Sequence, residues 1–245
     1  MEQRIGRLAI VGAGRMGTAI HRALRATPIH ATGPFGRGFD GRGHDVVLLA
    51  VPDTQIAAAA TLIEPGCVVG HCSGATGLDV LGEREGFSLH PLMTVTSRGA
   101  TFTGAGAAIA ANSAHALWIA RTLATTLELR PVEIHDEDRA AYHAAASIAA
   151  NFLVTLEDAA ESLLATSGAD RSILVPLVRA AVENWAELGG PAALTGPVAR
   201  GDEVTVQRQR AAVAERTPDL LALFDQLVAR TRVLAARDEV AAHFT

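Results

Sequence analysis

The stretch Leu8-Ala9-Ile10-Val11 followed by Gly12-Ala13-Gly14-Arg15-Met16-Gly17 constrains this chain more than any other. An apolar run of strand length stops at Gly12-x-Gly14-x-x-Gly17, and Ala19, Ile20, Ala23 and Leu24 follow at helical spacing. The pattern reads as strand, tight turn, helix. Gly12 permits the sharp turn, Gly14 lets backbone approach a pyrophosphate, and Gly17 lets the helix pack against the strand. The helix start then offers unpaired N–H groups to an anion. A dinucleotide is therefore expected at Gly12, Gly14, Arg15, Met16 and Gly17.

The chain continues in the same style. Asp45 to Val51 is a continuous β-branched and leucine run, as in a strand buried on both faces of a parallel sheet, and it ends at Pro52. Cys67 to His71 breaks at Cys72-Ser73-Gly74-Ala75, and Phe87 to His90 stops at Pro91. Ala107 to Ala110 and Pro131 to Ile134 are further short strands around a helix from about Ala114 to Leu127. This alternation predicts an α/β fold with a doubly wound, Rossmann-like, mostly parallel sheet. Its ligand crevice lies beyond the strand ends, where Gly12, Val51, Pro52, Ser73 and His90 fall.

Strand patterning ceases near Asp136. From there one helix of roughly eight turns is expected through Ala165, then helices capped by Asp170 or Ser172 and by Asp202, and a last one from Pro218 to about Val240. The reading is two domains: residues 1–135, binding the dinucleotide, and residues 136–245, all α.

The second strand, Ile29 to Thr32, runs into Gly33-Pro34-Phe35-Gly36-Arg37-Gly38 without the acid that would accept from a ribose 2′-hydroxyl. Arg37 and Arg42 follow in the loop, which favours a 2′-phosphate and hence NADP, with Arg37 the leading candidate.

Composition removes several function classes. The chain has no lysine, so a Schiff base, a lysine acid and a lysine phosphate anchor are all excluded. A net charge of -5 and a pI near 6.0, with no basic block, give no reason to bind nucleic acid. No apolar run is long enough to cross a membrane, and the charged Met1 to Arg7 stretch carries no signal-peptide pattern, so the cytoplasm is the expected compartment. Cys67 and Cys72 are read as buried thiols, and no metal cluster is expected.

On the long predicted helix His143, Ser147, Asn151 and Thr155 recur every four residues among alanines, which suggests a cleft wall. Ser147 and Thr155 are equally well read as satisfied interhelical groups. His143 can supply the proton that reduction of a C=O or C=N bond needs, and Asn151 can orient a substrate. His71 and His90 compete for the acid role or serve as structural histidines.

Gly12 to Gly17, Ala50-Val51-Pro52-Asp53, Gly70 to Ala75, Ser88-Leu89-His90-Pro91-Leu92-Met93-Thr94, Tyr142-His143-Ala144-Ala145-Ala146 to Asn151, and Leu194 to Asp202 together resemble, in order and spacing, Rossmann-like proteins with a DUF2520 C-terminal domain. That family is similar in plan to pyrroline-5-carboxylate reductase, ketopantoate reductase and the 6-phosphogluconate dehydrogenase group. The resemblance implies an NADP-dependent oxidoreductase whose helical domain forms a homodimer. It places Ser73 and His90 beside the nicotinamide, His143 as proton donor, and Asn151, Ser147 and Arg200 toward the substrate. The expected reaction is hydride transfer between NADPH and a small polar carbonyl or imine compound, such as the 2-oxo acid ketopantoate. A non-catalytic NADP-binding sensor or scaffold is the alternative. Two departures stand out: residues 29–45 are trimmed relative to the family, and the catalytic lysine of hydroxyacid dehydrogenases of this plan is missing.

Overall fold

The computed structural model describes residues 4–96 and 99–242, so the first three residues of the Met1 to Arg7 stretch lie outside it. The chain forms two compact units that divide between Ala150 and Asn151.

The first unit is built on one sheet, seven-stranded among the described residues. Its strands are β1 (Leu8–Val11), β2 (Ala31–Phe35), β3 (Val46–Leu49), β4 (Val68–His71), β5 (Gly86–Leu92), β6 (Gly106–Ala111) and β7 (Arg130–Glu133), in the order β2-β1-β3-β4-β5-β6-β7. β1 to β5 are parallel, β6 is antiparallel to β5, and β7 is parallel to β6. The sheet is thus the mostly parallel one expected. The chain leaves β1 for β2 on one side and returns to β3 on the other, so a crevice opens at the carboxyl end of β1.

The core follows from period-two side-chain alternation. Leu8, Ile10, Val46 and Leu48 face one side with Phe87 and Leu89. There they meet helices α1 (Arg15–Leu24) and, after α2 (Ile56–Leu62), α3 (Ala114–Thr126). Ala9, Val11, Val47 and Leu49 face the other side, against Ile56 and Ala60 of α2. β1, β3 and β4 are buried along their whole length, which is why β1 and β3 are uninterrupted apolar runs and β4 is apolar up to its terminal His71.

Two strands run past prolines at which the sequence predicted a stop or a break. β2 begins two residues later than expected and continues through Pro34 to Phe35, because it is the sheet edge and Pro34 has a neighbouring strand on one side only. β5 continues through Pro91 to Leu92 because β4 pairs with it only as far as Ser88, so β6 alone flanks Pro91.

The long predicted helix is not uniform. Asp136–Asp138 form a 3-10 turn, α4 spans Arg139–Ser147, Ile148–Phe152 form a π turn, and α5 spans Leu153–Ala165. The extra residue in the π turn shifts helical phase, so the stripe running from His143 and Ser147 to Asn151 and Thr155 is not the straight line that four-residue spacing implies.

The second unit continues through α6 (Val175–Leu188), the short α7 (Gly190–Ala193), α8 (Glu203–Arg216) and α9 (Leu221–Ala242). Asp202 caps α8 as expected, its Oδ1 accepting the Thr205 N–H at 3.1 Å. Asp170 instead caps a short 3-10 turn (Arg171–Ile173) ahead of α6, its Oδ1 accepting the Ser172 N–H at 2.9 Å, and α6 itself, with Leu174 at its cap position, has no side-chain cap. Arg210 grips Asp225 bidentately at 2.8 and 2.9 Å, tying α8 to α9. Apolar burial is meagre. Among the described residues of this unit the buried apolar side chains are Val206 and Val213, and α5 and α6 bury none. No helix of the described residues is long and apolar enough to cross a membrane.

Candidate active site

The carboxyl ends of β1 and β3 bound a cleft of about 560 Å³. Gly12 and Gly14 form its floor, Val51, Pro52 and Gln55 one wall, and Arg37 and Phe39, beyond β2, the other. Gly12 sits at φ +112, and a Cβ there would stand 2.3 Å from the Ala50 carbonyl oxygen. A Cβ on Gly17 would stand 2.0 Å from the Gly12 oxygen, so this glycine is what seats α1 against the turn. Gly14 differs from both. A Cβ on it would meet nothing within 4 Å, and as the residue capping α1 it offers no side chain to the first-turn N–H groups. The turn therefore presents bare donors to open space.

The two loop arginines separate cleanly. Arg42 hydrogen-bonds Glu64 Oε1 through Nη2 at 2.7 Å and through Nε at 3.2 Å, which commits it away from the cleft. Arg37 lines the cleft and makes no ion pair among the described residues. Of the other turn residues, Arg15 lines a shallower neighbouring hollow with Thr18 and Arg22, and Met16 packs against the core.

A second cluster lies where β4 and β5 meet α4. His71 is fully buried and accounted for: its Nδ1 accepts the Ser73 N–H at 3.2 Å, so the ring proton is on Nε2, which donates to the Gly77 carbonyl at 3.2 Å. Burial, with the charge of Arg139 adding, pushes its pKa down to about 4. This histidine is structural. Ser73 is buried too, its hydroxyl donating to Asp53 Oδ2 at 2.7 Å and accepting the Ala75 and Thr76 N–H groups at 3.2 and 2.9 Å. It fastens the loop after β4 to the loop after β3 and does not line the cleft.

His90, His143 and Tyr142 come together. The Tyr142 hydroxyl and His90 Nδ1 are 2.9 Å apart, and the His90 and His143 ring centroids are 6.1 Å apart, with His143 exposed. Burial, then His143 and Arg139, lower the pKa of His90 to about 4. Arg139 is itself buried, donating to Asp136 Oδ1 at 2.5 Å and to Ser88 Oγ at 2.6 Å. Burial works against ionisation of Asp136, but the hydrogen bonds from Arg139 and the Leu78 N–H, with the Arg139 charge, hold its carboxyl below the ordinary range. Ser147 ends α4, half-buried. Asn151 and Arg200 are exposed residues of the second unit. The Thr155 hydroxyl bonds the Asn151 carbonyl at 3.1 Å within its own helix. Sequence reasoning missed Tyr142, Arg139 and the Asp53 contact. The available signal was that Tyr142 is the only tyrosine and adjoins His143.

The two depressed histidines make stability depend on pH. Each takes a proton near pH 6.5 in the unfolded chain but only near about 4 in the folded protein, so the unfolded state binds more protons in between. Their contribution is complete above about pH 6.5 and is lost as the pH falls toward 4, amounting to at most about 3 kcal/mol for His71. Urea midpoints measured at about pH 7 and about pH 4.5 are expected to fall accordingly, and His71→Gln to flatten the difference. An unchanged midpoint in the wild type would mean that the imidazoles are not held neutral.

Residues 105–231 match the family described as a domain of unknown function, DUF2520. This is just over half of the chain, which therefore belongs to that family. Comparison with curated proteins found no match. Among solved structures, the chain is similar to a Thermotoga maritima protein (TM-score 0.78, 23% identity, covering 95% of this chain and 99% of that one). It is also similar to a candidate NADP oxidoreductase from Bacteroides fragilis (0.77, 19%, 93% and 98%). A third likeness is to 1-pyrroline-5-carboxylate reductase from Streptococcus pyogenes (0.62, 13%, 94% and 99%). At these identities the likeness establishes a shared Rossmann-like fold with a helical C-terminal region.

Proposed function

We propose that this protein is an NADP-dependent reductase that acts on a small polar carbonyl or imine compound, a 2-oxo acid being the leading class. The observation that carries the reading is the open space over Gly14, beside bare α1 N–H groups and an Arg37 that lines the same cleft with no ion pair among the described residues. These residues fit a phosphorylated dinucleotide: Gly12 to Gly17 hold the pyrophosphate, Val51 and Pro52 the ribose region, and Arg37 the 2′-phosphate. A cleft of this size suits the adenosine half. When bound, the cofactor supplies the hydride and its two electrons.

The chain's own contribution to the chemistry comes from the cluster at the end of β5. His143 is its exposed member and faces incoming substrate, next to the half-buried His90 and Tyr142. Asn151, Ser147 and Arg200 serve substrate binding. With no lysine in the chain, cationic recognition of an acidic substrate falls to arginine. The likeness to reductases of the same fold supports this reading.

The working form is a homodimer joined through the helical unit. Exposed Val154, Leu177, Trp185 and Leu188 sit on helices with no fully buried residue, and a surface of this kind marks an interface.

The direct test is oxidation of NADPH across a panel of 2-oxo acids and cyclic imines, with binding of NADPH and NADH compared by fluorescence. Turnover is expected with at least one substrate. Arg37→Ala is expected to weaken NADPH binding by about tenfold to a hundredfold while leaving NADH nearly unaffected. Equal binding of the two cofactors by the wild type would remove Arg37 from the site, and failure to bind either would sink the reading.

A further inference from the structure

Tyr142 is the only tyrosine in the chain, and its oxygen lies 2.9 Å from His90 Nδ1 with the two rings edge-on, centroids 5.6 Å apart at 87°. The imidazole is backed by main chain. A Cβ on Gly74 would stand 2.7 Å from His90 Cε1 and 2.8 Å from Nδ1, so the ring is pinned between the Gly74 backbone and the tyrosine. One turn earlier on the same helix, buried Arg139 is held by Asp136 and Ser88. Burial holds the pKa of the phenol above its ordinary value, and the Ala108 backbone hydrogen bond and the Arg139 charge offset this only in part. A hydroxyl 2.9 Å from an imidazole, one helical turn from a buried guanidinium and in the cluster that holds the exposed His143, is placed to pass a proton to a substrate there.

We propose that Tyr142 delivers the proton in the reduction and that His90 is a positioning residue holding the phenol oxygen through Nδ1–H. This rests on the reductase reading above. His90 is neutral at physiological pH, so it carries one ring proton. With that proton on Nδ1 it donates to the Tyr142 oxygen and leaves the phenol hydrogen free for substrate. As hydride from the reduced nicotinamide adds to the carbonyl carbon, the π pair moves onto the carbonyl oxygen. The Tyr142 O–H bond breaks, its proton bonds to that oxygen, and the bonding pair remains on Tyr142 as phenolate. The carbonyl is reduced to the alcohol, the nicotinamide is oxidised, and the phenolate, steadied by His90 N–H and Arg139, takes its proton back from water.

The experiment pairs kinetics with a titration that needs no substrate. Tyr142→Phe is expected to lower kcat by about a thousandfold while NADPH affinity and melting temperature stay close to wild type. Because the chain has one tyrosine, its ionisation can be followed by tyrosinate absorbance without interference from another. His90→Phe, which keeps the site buried, is expected to raise the pH of that ionisation by about one unit, since it removes a donor to the charged form. His90→Asn, which keeps an N–H, is expected to fall between. A downward shift in His90→Phe would show that His90 accepts from the phenol, and would overturn the proposal. So would a Tyr142→Phe enzyme within about tenfold of wild type, the more so if His143→Gln abolished turnover. That result would leave the reductase reading standing, whereas a wild type inert toward the whole substrate panel would remove both.

Discussion

Gly14→Asp is expected to weaken NADPH binding by at least about a hundredfold and to leave the melting temperature unchanged or slightly raised. The two halves of this result have separate causes. Gly14 has ordinary extended backbone at φ -74, and its missing Cβ faces open space, so the fold has no objection to a side chain there. Aspartate is moreover a favoured residue at the start of a helix, where its carboxylate can accept the N–H groups that glycine leaves bare. Those same groups are the ones proposed for the pyrophosphate. A carboxylate occupying them takes the donors and repels the phosphates, which over a few ångströms at an intermediate dielectric amounts to about 3 to 4 kcal/mol. Fluorescence titration and thermal melting on one sample decide it. Unchanged affinity would mean that the anion binds elsewhere. Gly17→Val would not be informative in the same way, because its side chain would strike the Gly12 carbonyl and disturb α1 whether or not a ligand binds.

Sedimentation is expected to find the wild type dimeric and Leu177→Glu/Leu188→Glu with dimer affinity reduced by at least about a thousandfold. Leu177, Trp185 and Leu188 fall on one stripe of α6 at helical spacing, and each is more than half exposed. Fully burying a leucine or comparable side chain is worth roughly 1.5 to 3 kcal/mol, and a helix with no fully buried side chain of its own gains most of its fixing from a neighbour. Two charges, one at each end of that stripe, would have to be desolvated on association. A wild type that sediments as a monomer across the micromolar range would refute the assembly proposed for the helical unit.

Some of this was readable from residue order alone. The turn from Gly12 to Gly17 declares itself by its glycine spacing, and the buried strands β1 and β3 by being apolar at every position, as a doubly covered parallel strand tends to be. The caps at Asp170 and Asp202 are equally local signals. What stayed hidden depends on contacts between distant segments. Tyr142 and His90 are separated by 52 residues and meet only because β5 ends against the start of α4. Arg37 and Arg42 look alike in sequence, and it is the Glu64 carboxylate that separates them. Ser73 sits at a strand end, as a cofactor ligand would, yet it closes a turn on Ala75 and Thr76, a use that Ser73-Gly74-Ala75-Thr76 permits but does not advertise.

The π turn at Ile148–Phe152 carries a consequence for how this segment can vary. Substituting side chains around it changes what each position presents but not the direction in which later positions point. Removing one residue there would restore regular winding and swing every side chain from Leu153 onward by about 100° around the helix axis. Segment length is thus a coordinate in its own right at this point, and a homologue one residue shorter would present a different face with an otherwise identical sequence.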